Sequence, residues 1–270
     1  MEQEVYVEIK ANVKKLLNIN LDHYKDEQMR RRLDSWLVRS GTPDWREYIK
    51  RLRSDTKELS KFRDYLTINV SAFFRDIERW KSLQEDILPP LLQAALKLRP
   101  LDPGLRIWSA GCSIGAEPYT LAMLLARISP AHRHHLLATD LDRGALSKAM
   151  ARGPYSAEEV QNLTSRERDQ HLDPGGPPYY VKSELKNKII FREHDMLNDA
   201  FPGELDLIVC RNVVIYFTTD TKDNLYARFH QALRPGGILF VGATEIVPRP
   251  HEIGFQSVGI SFYQKISSRL

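Results

Sequence analysis

Glycines and acids at fixed spacings carry the clearest chemistry in this chain. In Ile107-Trp-Ser-Ala-Gly111-Cys-Ser-Ile-Gly115-Ala-Glu117-Pro118 an apolar run enters a G-x-x-x-G turn, and an acid opens the helix that follows. Glycines let the backbone turn sharply and let a ligand approach it closely. The spacing is not the G-x-G-x-x-G of dinucleotide sites. Helix N-termini favour anions, and Glu117 already supplies one, so a pyrophosphate would meet a repelling charge. A cationic ligand such as a sulfonium amino acid suits this mouth better; the plain alternative for the loop alone is a tight turn. A second acid closes Leu136-Leu-Ala-Thr-Asp140, 25 residues after Gly115. In open α/β sheets an acid at such a strand end accepts hydrogen bonds from ribose hydroxyls. A third segment, Leu205-Asp-Leu-Ile-Val-Cys-Arg211-Asn212, delivers Arg211 and Asn212 to the carboxyl edge of a sheet, where ligands of such folds bind.

The elements that must position these residues alternate. Strands are expected at 106–110, 135–139, 188–192, 205–210 and 237–242. Helices are expected at 117–128, 143–150 and 219–233, and residues 255–265 read as a closing hairpin. Leu233-Arg-Pro-Gly-Gly237 reads as a helix end and turn before a central strand. This rhythm predicts a doubly wound, mostly parallel α/β sheet. Residues 153–187, with Pro154, Pro174, Gly175, Gly176, Pro177 and Pro178, are too long for an ordinary connection and read as an inserted subdomain.

The first quarter has a different texture. Val5, Ile9, Val13 and Leu16 fall at helical spacing, as do Met29, Leu33, Trp36 and Leu37. Gly41 stops the second helix. Thr42-Pro43-Asp44 restarts a third, with Thr42 as cap candidate and Pro43 at the first helical position. Leu59, Phe62 and Leu66 suggest a fourth, giving a small all-α bundle over residues 1–72, with the α/β domain over 73–270. A helix through Trp80, Leu83 and Ile87 is expected to end near Pro89-Pro90, and another to run to about Leu98.

Of 270 residues, 39 are basic and 35 acidic; residues 1–72 hold 15 basic and 12 acidic ones. That mild excess suits an acidic partner and is too weak and mixed for a nucleic-acid stripe. Two cysteines are too few for a disulfide framework. No apolar run reaches transmembrane length, and the N-terminus lacks the shape of a signal peptide, so the expected compartment is the cytoplasm, without membrane insertion. His132, His134 and His135 have no Cys or carboxylate partner at ligand spacing, so no metal is expected.

Residues 69–75, 108–120, 138–142 and 210–217 together resemble the CheR-type chemoreceptor methyltransferases. Asn69-Val-Ser71-Ala-Phe-Phe-Arg75 is similar to that family's N-[LV]-[TS]-x-F-F-R, Gly115-Ala-Glu117-Pro-Tyr-Thr to its G-x-E-P-Y-S, and Cys210-Arg-Asn-Val-Val-Ile-Tyr216-Phe to its C-R-N-V-x-I-Y-F. The resemblance implies a Rossmann-like methyltransferase sheet with a small N-terminal all-α domain and a small inserted β-subdomain. It implies transfer of a methyl group from S-adenosylmethionine to chemoreceptor glutamates, with S-adenosylhomocysteine as product. By matching positions, Asn69, Ser71, Arg75, Gly111, Glu117, Asp140, Asp195, Met196, Arg211 and Asn212 should line the cofactor site. Ser71 stands where threonine is frequent and keeps the hydroxyl. Asp195 stands where asparagine often sits and replaces a donor and acceptor with an acceptor.

A glutamate is already ionised near neutral pH, so the displacement needs alignment and a dry site rather than a base. Arg75 and Tyr216 are the catalytic candidates. Arg75 pairs with a carboxylate of cofactor or substrate, or else bridges the domains by salt links. Tyr216 orients the methyl or the substrate carboxylate, or else packs with a satisfied hydroxyl. Arg30, Arg32 and Arg39, with Arg31, either meet the acidic helical bundle of the receptor's cytoplasmic domain or form a solvated face. The insert's Asp173-Pro-Gly-Gly-Pro-Pro loop is short beside the Gly-rich form that tethers a receptor's C-terminal pentapeptide, so independence of that tether is expected, as is a monomer. The other readings left open are a nucleic-acid methyltransferase, against which the amino-methylase signature is missing, and a non-catalytic module that binds the cofactor and signals.

Overall fold

In the N-terminal residues each helix buries part of the apolar stripe expected of it; in the first helix Tyr6 and Leu17 are buried where Val5 and Leu16 are only half-buried. The computed structural model describes residues 1–67 and 71–266, which divide into two units, 1–68 with 215–222, and 69–214 with 223–270. The first unit holds α1 (Gln3–Leu17), α2 (Asp26–Ser40), α3 (Trp45–Ser54) and α4 (Thr56–Leu66). Tyr6, Ile9, Val13 and Leu17 of α1 and Met29 and Leu33 of α2 are buried. An aromatic cluster closes the bundle: Trp36, Trp45, Tyr48, Phe62 and Tyr65 meet ring to ring at 4.5–6.4 Å. Such pairs add about 0.5–1.5 kcal/mol each beyond their buried area. The buried Tyr48 hydroxyl accepts from Trp36 Nε1 at 2.5 Å and donates to Glu58, which pairs with Arg51. The cap of α3 is Asp44, not Thr42: Asp44 Oδ1 accepts from the Glu47 N–H at 2.9 Å, and the helix begins at Trp45, two residues past Pro43.

The 215–222 segment joins this unit through Tyr24, which bridges antiparallel to Phe217. The Lys25 N–H donates to the Tyr216 carbonyl at 3.0 Å, and the Thr218 N–H to the His23 carbonyl at 2.9 Å.

In the second unit α5 (Ile77–Ser82) runs through a π turn, Leu83–Ile87, into α6 (Leu88–Leu98). The expected break at Pro89-Pro90 does not occur. Two prolines remove two N–H donors, and the widened turn, in which Leu88 donates to the Leu83 carbonyl, absorbs them at the head of α6. There follow β1 (Arg106–Ala110), α7 (Ala116–Ile128), β2 (His135–Asp140), α8 (Arg143–Met150), α9 (Ser165–His171), α10 (Ser183–Lys186), β3 (Ile189–Glu193), β4 (Leu205–Cys210), α11 (Thr219–Ala232), β5 (Leu233–Val241), α12 (Pro250–Ile253), β6 (Phe255–Gly259) and β7 (Phe262–Lys265).

The sheet order is β3-β2-β1-β4-β5-β7-β6. Neighbours among β1 to β5 pair parallel; β7 is antiparallel to both β5 and β6. All six residues of β4 are buried, as an interior parallel strand requires. The strand order reverses between β1 and β4, so the crevice at their carboxyl ends is the ligand position of this architecture. β5 starts at Leu233, earlier than the turn residues suggested. Gly236, at φ 76°, takes up the turn as a bulge, and the register with β4 shifts between Leu205 and Leu207.

The 153–187 insert is antiparallel only in two isolated bridges, Tyr155 with Tyr179 and Leu172 with Val181, beside α9 and α10. The segments around Tyr155, Leu172 and Tyr179–Val181 thus make a small antiparallel β arrangement of bridges rather than a continuous ladder. Prolines at 174, 177 and 178 offer no N–H to extend a ladder. Tyr155 is fully buried, and its hydroxyl donates to the Ile114 carbonyl at 2.7 Å, so the insert braces the glycine loop.

Candidate functional site

β1 ends on Ala110 and the chain turns through Gly111, Ser113 and Gly115, at φ 83°, 48° and 87°. A Cβ on Gly111 would lie 2.6 Å from Val213 Cγ2, and one on Gly115 2.7 Å from Ala149 Cβ, so side chains are excluded at both. Gly111 also faces the Met196 side chain. The turn aims Glu117 back at its own strand. Ser109 Oγ donates to Glu117 Oε1 at 2.7 Å, and Arg211 lies 3.8 Å from Oε2. Burial raises Glu117 to about 7, against the lowering pull of Arg211 and the Ser109 hydrogen bond.

Asp140 ends β2 beside this loop. Its carboxylate accepts the Ser113 N–H at 2.7 Å and the Asp142 N–H at 2.9 Å. Burial raises it to about 6 even so. The two acids that the spacing singled out thus flank the glycine loop, Glu117 in the first turn of α7 and Asp140 at the end of β2.

Arg211 leaves β4 almost fully buried. Its guanidinium donates to the Arg75 carbonyl at 2.8 Å and to Asp76 Oδ2 at 2.7 Å, and its Cζ lies 5.0 Å from the Trp80 ring and 4.9 Å from the Phe240 ring. Trp80 Nε1 donates to the same Arg75 carbonyl at 2.8 Å. The 74–76 turn, with Phe74 and Asp76 at positive φ, is thereby fixed from two sides. Phe73 is buried and Phe74 nearly so; the Phe74 N–H donates to Thr120 Oγ1 at 3.1 Å. Ser71 is half-buried at the start of this segment, and Asn69 lies outside the described residues.

The remaining candidates separate. Both Asp195 oxygens are used within their own turn, accepting from the Leu197 N–H and the Asn198 amide. The Met196 carbonyl accepts from Arg228. Tyr216 sits in a short 3-10 turn, Val214–Tyr216, and belongs to the first unit. There it acts electrostatically on Arg32, whose guanidinium burial lowers from its ordinary value. Arg32 and Arg39 gather over the Tyr65 ring at 4.7 and 5.5 Å, and Arg32 donates to the Tyr65 carbonyl. Arg30 lies apart, over the Tyr6 ring at 4.0 Å, while Arg31 pairs with Glu27 one turn back.

The structure adds residues that spacing did not single out: Ser109, Asp76, Trp80 and Glu245. Glu245 Oε2 accepts from the N–H groups of Asn212 and Gly242. Cys112 and Cys210 are buried with their thiols pushed up by burial and by neighbouring carboxylates, so neither is an activated nucleophile. Among the described residues no group of three or more His, Cys, Asp or Glu could hold a metal ion, and no helix is long and apolar enough to cross a membrane.

Two family models match the chain: CheR methyltransferase, SAM binding domain, over residues 69–263, and CheR methyltransferase, all-alpha domain, over residues 4–67. A chemotaxis protein methyltransferase of Listeria monocytogenes is 38% identical over 94% of this chain and 94% of its own length. Those of Borreliella burgdorferi and Escherichia coli are 33% and 34% identical, over 85% and 84% of this chain and 83% and 79% of theirs. The two family models together cover the helical unit and the sheet, and the chain belongs to the CheR methyltransferase family.

Proposed function

We propose that the chain transfers a methyl group from S-adenosylmethionine to glutamate carboxylates of chemoreceptors. The observation that carries this is the pair of acids beside the glycine loop at the carboxyl edge of the sheet: Glu117 in the first turn of α7 and Asp140 at the end of β2, with Gly111 and Gly115 making the turn between β1 and α7. An anionic pyrophosphate is repelled there, whereas an ammonium and a sulfonium are attracted, and a carboxylate such as Asp140 suits ribose hydroxyls. When bound, S-adenosylmethionine supplies a methyl group made electrophilic by its sulfonium sulfur.

The chain's own residues do the rest. Glu117 takes the cationic amino-acid end and Asp140 the ribose, with Ser71, Met196 and Asn212 around them. Asp195 contributes through the turn it caps. Arg211 holds the Arg75 turn and shares the charge of Glu117. Arg75 then offers a planar fork to a carboxylate. The incoming glutamate is ionised near neutral pH and needs no base, so the protein contributes alignment and exclusion of water. Tyr216 orients the reacting carboxylate. Arg32 and Arg39, on the first unit, face the acidic helical bundle of the receptor's cytoplasmic domain. We place the protein in the cytoplasm as a monomer.

The test is a transfer assay with methyl-labelled S-adenosylmethionine and a cytoplasmic receptor fragment. Base-labile label on glutamate is expected; base-stable label, or label on nucleic acid, rejects the reading. A receptor-tail pentapeptide added to the same assay is expected to leave the rate unchanged, because the insert has two bridges and proline-blocked loops in place of a continuous strand edge.

A further inference from the structure

Glu245 lies outside the glycine loop, the strand-end acid and the Cys-Arg-Asn segment. It follows the turn beyond β5 and is 5% exposed. One oxygen, Oε2, accepts the Asn212 N–H at 2.8 Å and the Gly242 N–H at 2.7 Å. A single carboxylate oxygen therefore ties the end of β5 to the end of β4, at the carboxyl edge of the sheet. What it holds is a left-handed conformation: Asn212 has φ 58°, a region that asparagine enters more readily than other residues with a Cβ, and the bond to Oε2 fixes its N–H there. The fit is close. A Cβ on Gly242 would lie 2.7 Å from Glu245 Oε2, 2.9 Å from Asn212 N and 3.0 Å from Asn212 Nδ2. The Asn212 amide thus rests against the glycine that the same oxygen anchors.

We propose that Glu245 is a positioning residue of the methyl-transfer site, which fixes Asn212 in its left-handed conformation and so sets the side chain that Asn212 offers to the cofactor. This rests on the reading of Asn212 as a cofactor contact. Both of these bonds converge on one acceptor atom, and both donors are neutral peptide groups. Glutamine keeps that acceptor and the length of the side chain; alanine leaves two N–H groups without it.

The test uses the full chain, with calorimetric binding of S-adenosylhomocysteine and steady-state KM values for S-adenosylmethionine and for a receptor fragment. Glu245→Ala is expected to weaken S-adenosylhomocysteine about tenfold and to raise the cofactor KM in parallel, with the receptor KM within about twofold. Glu245→Gln is expected to stay within about threefold of the wild type. A role confined to holding the fold would lower the melting temperature and the active fraction while leaving the Kd of the folded protein unchanged. Should Glu245→Ala not fold, Gly242→Ala reads the same quantity by forcing the same atoms apart. The proposal is overturned if the folded variant, Glu245→Ala or in its place Gly242→Ala, binds within about twofold of wild type, or if Glu245→Gln is as weak as Glu245→Ala. A wild-type protein that does not bind S-adenosylhomocysteine overturns the cofactor reading itself, and this proposal with it.

Discussion

Acidification should release the cofactor from this protein while steadying the cofactor-free fold, and Glu117 sets the range. Burial lifts Glu117 from 4.5 to about 7 and Asp140 from 3.8 to about 6. A ligand ammonium beside Glu117 favours the carboxylate form, so binding expels a proton wherever Glu117 is protonated. At about pH 6 roughly a tenth of Glu117 and half of Asp140 are ionised, and at about pH 8 nearly all of both. The Kd of S-adenosylhomocysteine should therefore rise about tenfold from Glu117 and about twofold more from Asp140, roughly 20-fold in all. Folding stability takes the opposite sign. Between about 4.5 and 7 the folded chain holds a proton that the unfolded chain has released. The Glu117 contribution is then fully present below 4.5 and is lost as pH rises through 7, an effect of roughly 3 kcal/mol. Titration calorimetry at about pH 6, 7 and 8, in two buffers of different ionisation enthalpy, should count about half a proton released at pH 7. Glu117→Gln should flatten both slopes. A Kd constant within about twofold over this range, or an unchanged slope in Glu117→Gln, would refute the reasoning.

Removing Arg211 takes the cation away from Asp76 and Glu117 and a donor from the Arg75 carbonyl. Arg211→Ala should cost about 3 kcal/mol and lower the melting temperature by roughly 6–12 °C, read by thermal unfolding; lysine should not rescue it, since one ammonium cannot span those partners. Reversing the exposed charge of Arg39 should raise the receptor KM about five- to tenfold at low salt and less at high salt, with the cofactor Kd unchanged, as steady-state kinetics and calorimetry would show.

The strands and the main helices were legible because their apolar runs and spacings are local properties. The runs at 106–110 and 205–210 could be read as strands from neighbouring residues alone. Glu117 and Asp140 were legible for the same reason, one opening the helix after the glycine turn and the other closing a strand. What escaped depends on contacts distant in sequence. Glu245 meets Asn212 across 33 positions, and only the adjacency of β4 and β5 brings them together. Its one local trace is an acid shortly after the apolar run Ile238–Val241. Asp76 is an ordinary surface acid until Arg211, 135 positions on, turns toward it. The continuous path through Pro89-Pro90 was hidden because proline usually ends a helix, and nothing local announces a π turn that tolerates it.

The first unit is discontinuous in sequence: Tyr24 bridges Phe217, and the backbone of His23 and Lys25 is bonded to Thr218 and Tyr216. Recombination at a single point near residue 68 would therefore not move the whole first unit between relatives. A chimera that exchanges only the first helices would pair one parent's Tyr24 with the other parent's 215–222 segment, and Tyr216 travels with that segment. Inheritance of the first helices and inheritance of the tyrosine are thus coupled across some 190 residues of intervening chain, and exchange of the whole unit requires two crossovers rather than one.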